Sequence, residues 1–259
     1  MRALTTAATG LNAQQANIER ISNDLANVNT DSYKRSVNEF HDLMYDTIKE
    51  AGGSLGAESQ SPVGIQTGMG VKVGAQHKIF EQGPMRMTYH PYDIAIEGPG
   101  FLPVTMPNGE IAYTRNGAFH MDSQGKLHLT NGARLIPDIT VPTNSLNVTV
   151  SASGEVKALL PNQGEAVLGQ LQLITFQNEQ GLNAQGEGIY KATLGSGGPL
   201  QGVPGENGLG SIQQGALEAS NVNVANSMVD MITTQRAYEM GTKVMGVADQ
   251  MLAATANIK

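Results

Sequence analysis

Cysteine and tryptophan are both missing from this 259-residue chain. Without cysteine there is no disulfide scaffold and no thiolate metal site, a condition that suits a reducing cytosol and a thiol-free exported protein equally. Charge is scarce as well: Asp, Glu, Lys and Arg make up 15% of the residues, against about a quarter in ordinary globular chains. A net charge of −7 and a pI near 5.2 offer no grip on a polyanion, so no nucleic-acid partner is expected. No apolar run reaches the roughly 20 residues of a membrane helix, which argues against direct membrane insertion. The opening MRALTTAATGLNAQQ also lacks the continuous apolar segment of a cleavable signal peptide.

What the chain does have is glycine, 31 residues of it, and a polar surface rich in Asn, Gln, Ser and Thr. Its two ends resemble each other. Leu4, Leu11, Ile18 and Leu25 recur every seven residues, with Ala7, Gln14, Ile21 and Val28 three positions later. This a/d pattern marks a helix that docks a narrow stripe on another helix. Gly10 weakens it by about 1 kcal/mol relative to Ala. At the other end Val224, Met231, Tyr238, Met245 and Leu252 repeat the seven-residue spacing, and Met228, Ile232 and Ala248 widen the stripe. A helix over 224–257 measures about 50 Å at 1.5 Å per residue, and Asn221 or Asn223 is placed to cap it. Five of the twelve methionines, Met228, Met231, Met240, Met245 and Met251, lie in it. An ordinary helix pair within one globular domain fits the same periodicity.

The middle of the chain reads as β. Short apolar runs alternate with Asn108-Gly109, Asn116-Gly117, Gln124-Gly125 and Asn131-Gly132, residue pairs that tolerate the positive φ of hairpin turns. An antiparallel meander, folded into a sandwich or irregular barrel, is expected. A further helix is expected over residues 37–50, followed by a Gly- and Ser-rich loop over 51–70. The fold class is therefore α+β. Residues 1–50 and 213–259 would form a discontinuous, coiled-coil-like helical domain, and 71–212 a β-rich domain.

No catalytic constellation emerges. GGSLG at 52–56 matches a nucleophile elbow in letters, but a helix precedes Ser54 and a polar loop follows, the reverse of the required strand-to-helix context. Ser123 and Lys126 match a serine-enzyme motif at what reads as a hairpin turn. Gly68, Gly70 and Gly74 miss the dinucleotide-binding spacing by one residue. The five histidines His41, His77, His90, His120 and His128 lack helical zinc-site spacing, although His120 and His128 would face each other across a hairpin. Asn147 begins a glycosylation acceptor by pattern alone. No enzyme, cofactor or metal is expected. Helices with uncovered stripes gain stability when neighbouring chains cover them, and a head-to-tail arrangement that does not close makes a filament.

Three long segments carry a family resemblance. SNDLANVNTDSYKR at 22–35 resembles the N-terminal motif of the bacterial flagellar rod and hook proteins. EASNVNVANSMVDMITTQRAYEMGTKVMGVADQML at 218–252 resembles their C-terminal helix, and DIAIEGPGFLPV with YTRNGAFHMDSQGKLHLTNG resembles their β domain. Together they span essentially the whole chain. Its length and the segment near residues 52–70 match the distal-rod branch, where that insertion helps keep the rod straight. Two departures stand out: the start has no Trp, and Ser32 replaces a customary Gly.

The resemblance implies a non-enzymatic subunit that self-assembles into a rigid tube, encloses the export channel and transmits torque. It further implies passage through the flagellar type III export apparatus without a cleaved signal, and a place in the basal body where the rod crosses the periplasm. The implied partners are further copies of the chain, the proximal rod and hook proteins, and the L- and P-ring proteins. A proximal rod or hook-type subunit is the alternative within the family, and a secreted monomeric β-domain binding module the alternative outside it. Seam residues are expected at Leu4, Leu11, Ile18, Ile21, Leu25, Val28, Val224, Met228, Met231, Tyr238, Met245 and Leu252. Polar contacts between subunits are expected at Asn23, Asn27, Asn29, Tyr33 and Arg35, with Asn29 as a left-handed helix stop. Ser54, Pro62, Ile65 and Met69 would serve rigidity.

Overall fold

The computed structural model describes residues 2–50, 54–56, 59–60, 63–161 and 164–256. Two long helices, α1 (Arg2–Ala26) and α2 (Val224–Ala256), enclose a strand-rich middle in sequence, giving an α+β chain. It forms two compact units. One comprises Met1–Ala26, Ser36–His77 and Asn223–Lys259; the other comprises Asn27–Arg35 and Lys78–Val222.

In the first unit α1 packs along α2 and against the strand Ser36–Asp42. Asn223 caps α2: its side-chain oxygen accepts from the Asn226 N–H at 3.2 Å, satisfying a donor that the first turn leaves open. Residues 37–50 are strands, not the expected helix. Ser36–Asp42 lies beside Val71–Lys78, and Tyr45–Lys49 pairs antiparallel with Ile65–Gly68. Val37, Phe40, Tyr45, Thr47 and Ile48 are β-branched or aromatic, so a pleated surface suits them once partner strands arrive from residues 65–78. The expected loop thus contributes the strand Ile65–Gly68, together with a short pairing of Ser54–Gly56 with Ser59–Gln60.

The second unit centres on a seven-stranded antiparallel sheet. Its order is His120–Met121, Leu127–His128, Arg134–Leu135, Leu102–Thr105, Ile111–Thr114, Ile189–Lys191 and Asn183–Gly186. A three-stranded sheet, Asn147–Val150, Glu155–Leu160 and Gly164–Gln170, contributes Val148, Val156 and Ala158 to the same core. That core also holds Ile94, Leu102, Val104, Phe119, Leu135, Leu173 and Ile212. Phe101, Tyr113, Ile174, Phe176 and Tyr190 form a second cluster, with edge-to-face ring contacts such as Tyr113–Phe176 at 4.9 Å.

Three of the four expected turns are present: Gly109, Gly125 and Gly132 take φ near +80°, and His120 pairs with His128 as anticipated. Asn116-Gly117 is not a hairpin turn. The Gly117 carbonyl accepts from the Ile94 N–H, and a Cβ on Gly117 would fall 1.6 Å from the Ile94 oxygen. This glycine serves close backbone approach rather than chain reversal.

Candidate assembly interface

The α1–α2 seam is built on small residues. Met231, Thr234, Ala237, Gly241, Met245 and Ala248 of α2 are buried or half-buried. A Cβ on Gly241 would stand 2.7 Å from Cδ2 of Leu11, so the two helices approach closely at that level. Beside it a cavity of about 260 Å³ is lined by Ala7, Gly10, Leu11, Gln14, Ala237, Gly241 and Val244. The buried Thr234 hydroxyl donates to the Asp230 carbonyl at 2.6 Å, which lets a polar residue sit on the seam.

Ile21 is buried on α1, while Leu4, Leu11, Ile18 and Leu25 are half-buried. Val224, Met228, Tyr238 and Leu252 are exposed, as are Val229, Ile232, Met240, Val244, Val247 and Met251. Taking 100° per residue, Val229, Met240, Val244, Val247 and Met251 form a stripe on one flank of α2, adjoining its α1-facing residues, with Val244 at the edge that lines the cavity. The side of α2 directly opposite α1 is polar, with Arg236, Glu239, Lys243 and Gln250, so the exposed apolar stripe is an extension of the seam. Strands 36–49 and 65–73 add Phe40, Met44, Tyr45, Ile48, Ile65, Met69 and Val73 to the exposed apolar surface of the same unit. Pro62 lies outside the described residues, and Ser54 belongs to the short strand Ser54–Gly56.

α1 ends at Ala26, so Val28 lies beyond the helical stripe. Asp24 is buried: one carboxylate oxygen accepts from the Ser36 N–H and the other pairs with Arg20 at 3.0 Å. The chain turns through Ser32, whose φ is +59°; Asn29 is not the left-handed residue. The buried Ser32 hydroxyl donates to the Arg115 carbonyl at 2.8 Å, and its N–H donates to the Glu218 carbonyl at 2.7 Å. These bonds offset the cost of a Cβ in a conformation that glycine adopts freely. Asn27 accepts a hydrogen bond from Thr30, and Asn23 lines a cavity of about 320 Å³ with Arg20 and Asn38. Asn29 is exposed.

Tyr33 and Arg35 are engaged within the chain. The Lys78 ammonium stands 4.3 Å from the Tyr33 ring centroid, and the Arg35 N–H donates to the Asn221 side chain at 2.7 Å. Asn221 also donates to the carbonyls of Ile79 and Glu81. It therefore ties three strands of backbone together and does not cap α2.

Between these contacts lies a cluster of buried charges. Lys34, Arg115 and Glu218 are all buried. The Lys34 ammonium meets Glu218 Oε1 at 2.6 Å and donates to the Glu81 carbonyl at 2.7 Å. Arg115 Nε meets Glu218 Oε2 at 2.9 Å, and its terminal nitrogens donate to the carbonyls of Gly98 and Gly100. The Gly83 N–H supplies another donor to Glu218. Burial pulls Lys34 below its ordinary pKa and Arg115 adds to this, with Glu218 opposing. For Glu218 burial acts upward, but Arg115, Lys34 and the donated hydrogen bonds outweigh it and hold the carboxyl below its ordinary value.

Each charge of the triad lies in a separate stretch of chain with known relatives. Residues 4–34 match a model described as flagella basal body rod protein. Residues 95–158 match the flagellar hook protein FlgE/F/G D1 domain, and residues 213–258 match the flagellar basal body rod FlgEFG protein C-terminal. The flagellar basal-body rod protein FlgG of Caulobacter vibrioides is 44% identical over 261 residues, covering 100% of both chains. Its counterpart in a Buchnera aphidicola strain is 46% identical over 94% of each chain, and that of Borreliella burgdorferi 42% identical over 100% of this chain and 99% of its own.

The chain belongs to the FlgG family of flagellar basal-body rod proteins.

It is a structural rod subunit. The rod-protein segment carries α1, the turn and Lys34; the D1 segment carries Arg115; the C-terminal segment carries Glu218 and α2. Three matched stretches of the chain thus meet at one buried carboxylate. Among the described residues no cluster of His, Asp or Glu has metal-binding geometry, and no helix is long and apolar enough to cross a membrane. The Asp122–Lys126 turn shows what the serine-enzyme letters do instead. Asp122 accepts from the N–H groups of Gln124 and Lys126, and His128 stands 3.0 Å from its second oxygen.

Proposed function

We propose that α1 and α2 form the coiled-coil-like assembly domain of a distal rod subunit, and that further copies of the chain cover the apolar side of α2. The carrying observation is the set Val229, Met240, Val244, Val247 and Met251, exposed on the flank of a helix whose adjoining face already packs on α1. A second copy is the fitting occupant because the chain belongs to a family of rod proteins and the uncovered face continues directly from the α1–α2 seam. In this reading the repeated helical interfaces build a rigid tube that encloses the export channel and carries torque. Its neighbours are the proximal rod, the hook, the L- and P-ring proteins and the type III export apparatus, at the level where the rod crosses the periplasm. Noncatalytic packing is all that the task demands.

The exposed apolar strands over 36–49 and 65–73 give the rigidity segment its physical basis. An isolated two-stranded ribbon is marginal in water, and one that displays Tyr45, Ile48 and Ile65 gains stability when a neighbour covers it. Deleting residues 1–28 is expected to abolish assembly while the β-rich unit's sheet signal persists. Deleting 52–70 is expected to leave assembly intact but give a bent or flexible rod in electron micrographs. Normal polymers from the first variant, or straight ones from the second, contradict the assignment.

A further inference from the structure

Sulfur in this chain is methionine alone: twelve Met and no Cys. Any two-electron oxidant that reaches the protein therefore finds thioethers rather than thiols. On α2 they fall into two groups. Met231 and Met245 are half-buried, whereas Met228, Met240 and Met251 are 52%, 60% and 66% exposed. Met240 and Met251 lie at opposite ends of the stripe completed by Val244 and Val247, and Met228 stands one turn from Ile232 on the other flank of α2.

We propose that Met228, Met240 and Met251 are oxidation sites whose conversion to sulfoxide blocks covering of α2 by a second copy of the chain. This rests on the assembly role proposed above for α2. With hydrogen peroxide as oxidant, a sulfur lone pair attacks one peroxide oxygen. The S–O bond forms as the O–O bond breaks, and the departing hydroxide takes up the remaining proton as water. Sulfur loses two electrons and the peroxide gains them. The product keeps the side chain's length but replaces a polarizable apolar atom with a strong acceptor. Aliphatic neighbours such as Val244 and Val247 offer it no donor, so burying it against a second copy carries an uncompensated desolvation cost. Exposure before assembly and burial after it confine the vulnerable period to the unassembled subunit.

The test uses the full chain. Monomer is treated with hydrogen peroxide, sulfoxides are mapped by peptide mass spectrometry, and assembly is followed by light scattering and electron microscopy. The same steps are applied, in a background carrying M44L and M69L, to the variant M228L/M240L/M251L, which retains the exposed Met87 and Met121 as internal oxidation controls. Oxidised wild type is expected to require at least about tenfold more protein to assemble, and methionine sulfoxide reductase to restore it. The oxidised triple variant is expected to assemble as before treatment. Unchanged assembly of the oxidised wild type, or equal loss in the triple variant, overturns the proposal while leaving the assembly reading standing. Failure of the untreated wild type to assemble overturns that reading and the proposal with it.

Discussion

Replacing Glu218 with Gln removes one negative charge from between two buried cations. Lys34 and Arg115 stand 2.6 and 2.9 Å from its oxygens, and all three side chains are essentially closed to water, so solvent screening offers little relief. Breaking a buried pair in this way costs about 3–5 kcal/mol, chiefly because the remaining charge stays buried without its partner. For a chain of this size each kcal/mol moves the midpoint by about 2–4 °C, so Glu218→Gln is expected to lower the Tm of the β-rich unit by roughly 10 °C. A pH signature accompanies the loss. The folded-state pKa of Glu218 lies below its ordinary value, so its contribution is complete above the unfolded-state pKa and disappears as pH falls through the lower folded one. Urea titrations between neutral pH and pH 3 are expected to show this acid limb in wild type and a flattened one in the variant. A loss below about 1 kcal/mol at neutral pH, or an unchanged acid limb, refutes the account of the triad. The triple replacement K34M/R115M/E218L serves as a control, since apolar substitution of a whole buried ion cluster is commonly neutral or stabilising.

Other substitutions test neighbouring claims. Ser32→Gly relieves the left-handed backbone but loses the hydroxyl bond to Arg115, so a stability change within about 1 kcal/mol is expected by urea titration. Ser32→Ala keeps the strain and loses the bond, and is expected to be about 1 kcal/mol worse than the glycine variant. Gly117→Ala drives a Cβ into the Ile94 carbonyl and is expected to abolish the cooperative melt of the β-rich unit in near-ultraviolet circular dichroism. Gly241→Ala meets only a flexible Leu11 methyl first, and the helix-propensity gain of about 1 kcal/mol offsets it. Gly241→Leu is expected to force α1 and α2 apart, read as lost protection of the α1 amides in hydrogen exchange.

Sequence was most informative where contacts are local or strictly periodic. The two terminal helices follow from seven-residue spacing, and the turns at Gly109, Gly125 and Gly132 from glycine's access to positive φ. It misled over residues 37–50 because their pairing partners lie at 65–78, and the apolar spacing of Val37, Phe40 and Met44 imitates a helical face. Asn116-Gly117 has hairpin letters but answers to Ile94, more than twenty residues away. The buried triad was invisible for the same reason. Lys34 and Glu218 are 184 residues apart, and charged residues are ordinarily read as surface. One signal was present: Glu218 ends an apolar strand, Ala216–Glu218, where a lone carboxylate needs a buried partner. Seam expectations on α2 divide between Met231 and Met245, which are half-buried, and Val224, Met228, Tyr238 and Leu252, which are exposed. Heptad spacing identifies an apolar stripe without saying which chain covers it.

The central claim is that the apolar side of α2 is covered by other copies of the same chain. Electron microscopy of purified full-length protein under polymerising conditions, beside the variant V229E/V247E, tests it most directly. The account predicts straight filaments from wild type and none from the charged variant, whose monomer retains its melting transition. Filaments from V229E/V247E at the wild-type concentration, or a wild-type chain that stays monomeric, contradict it.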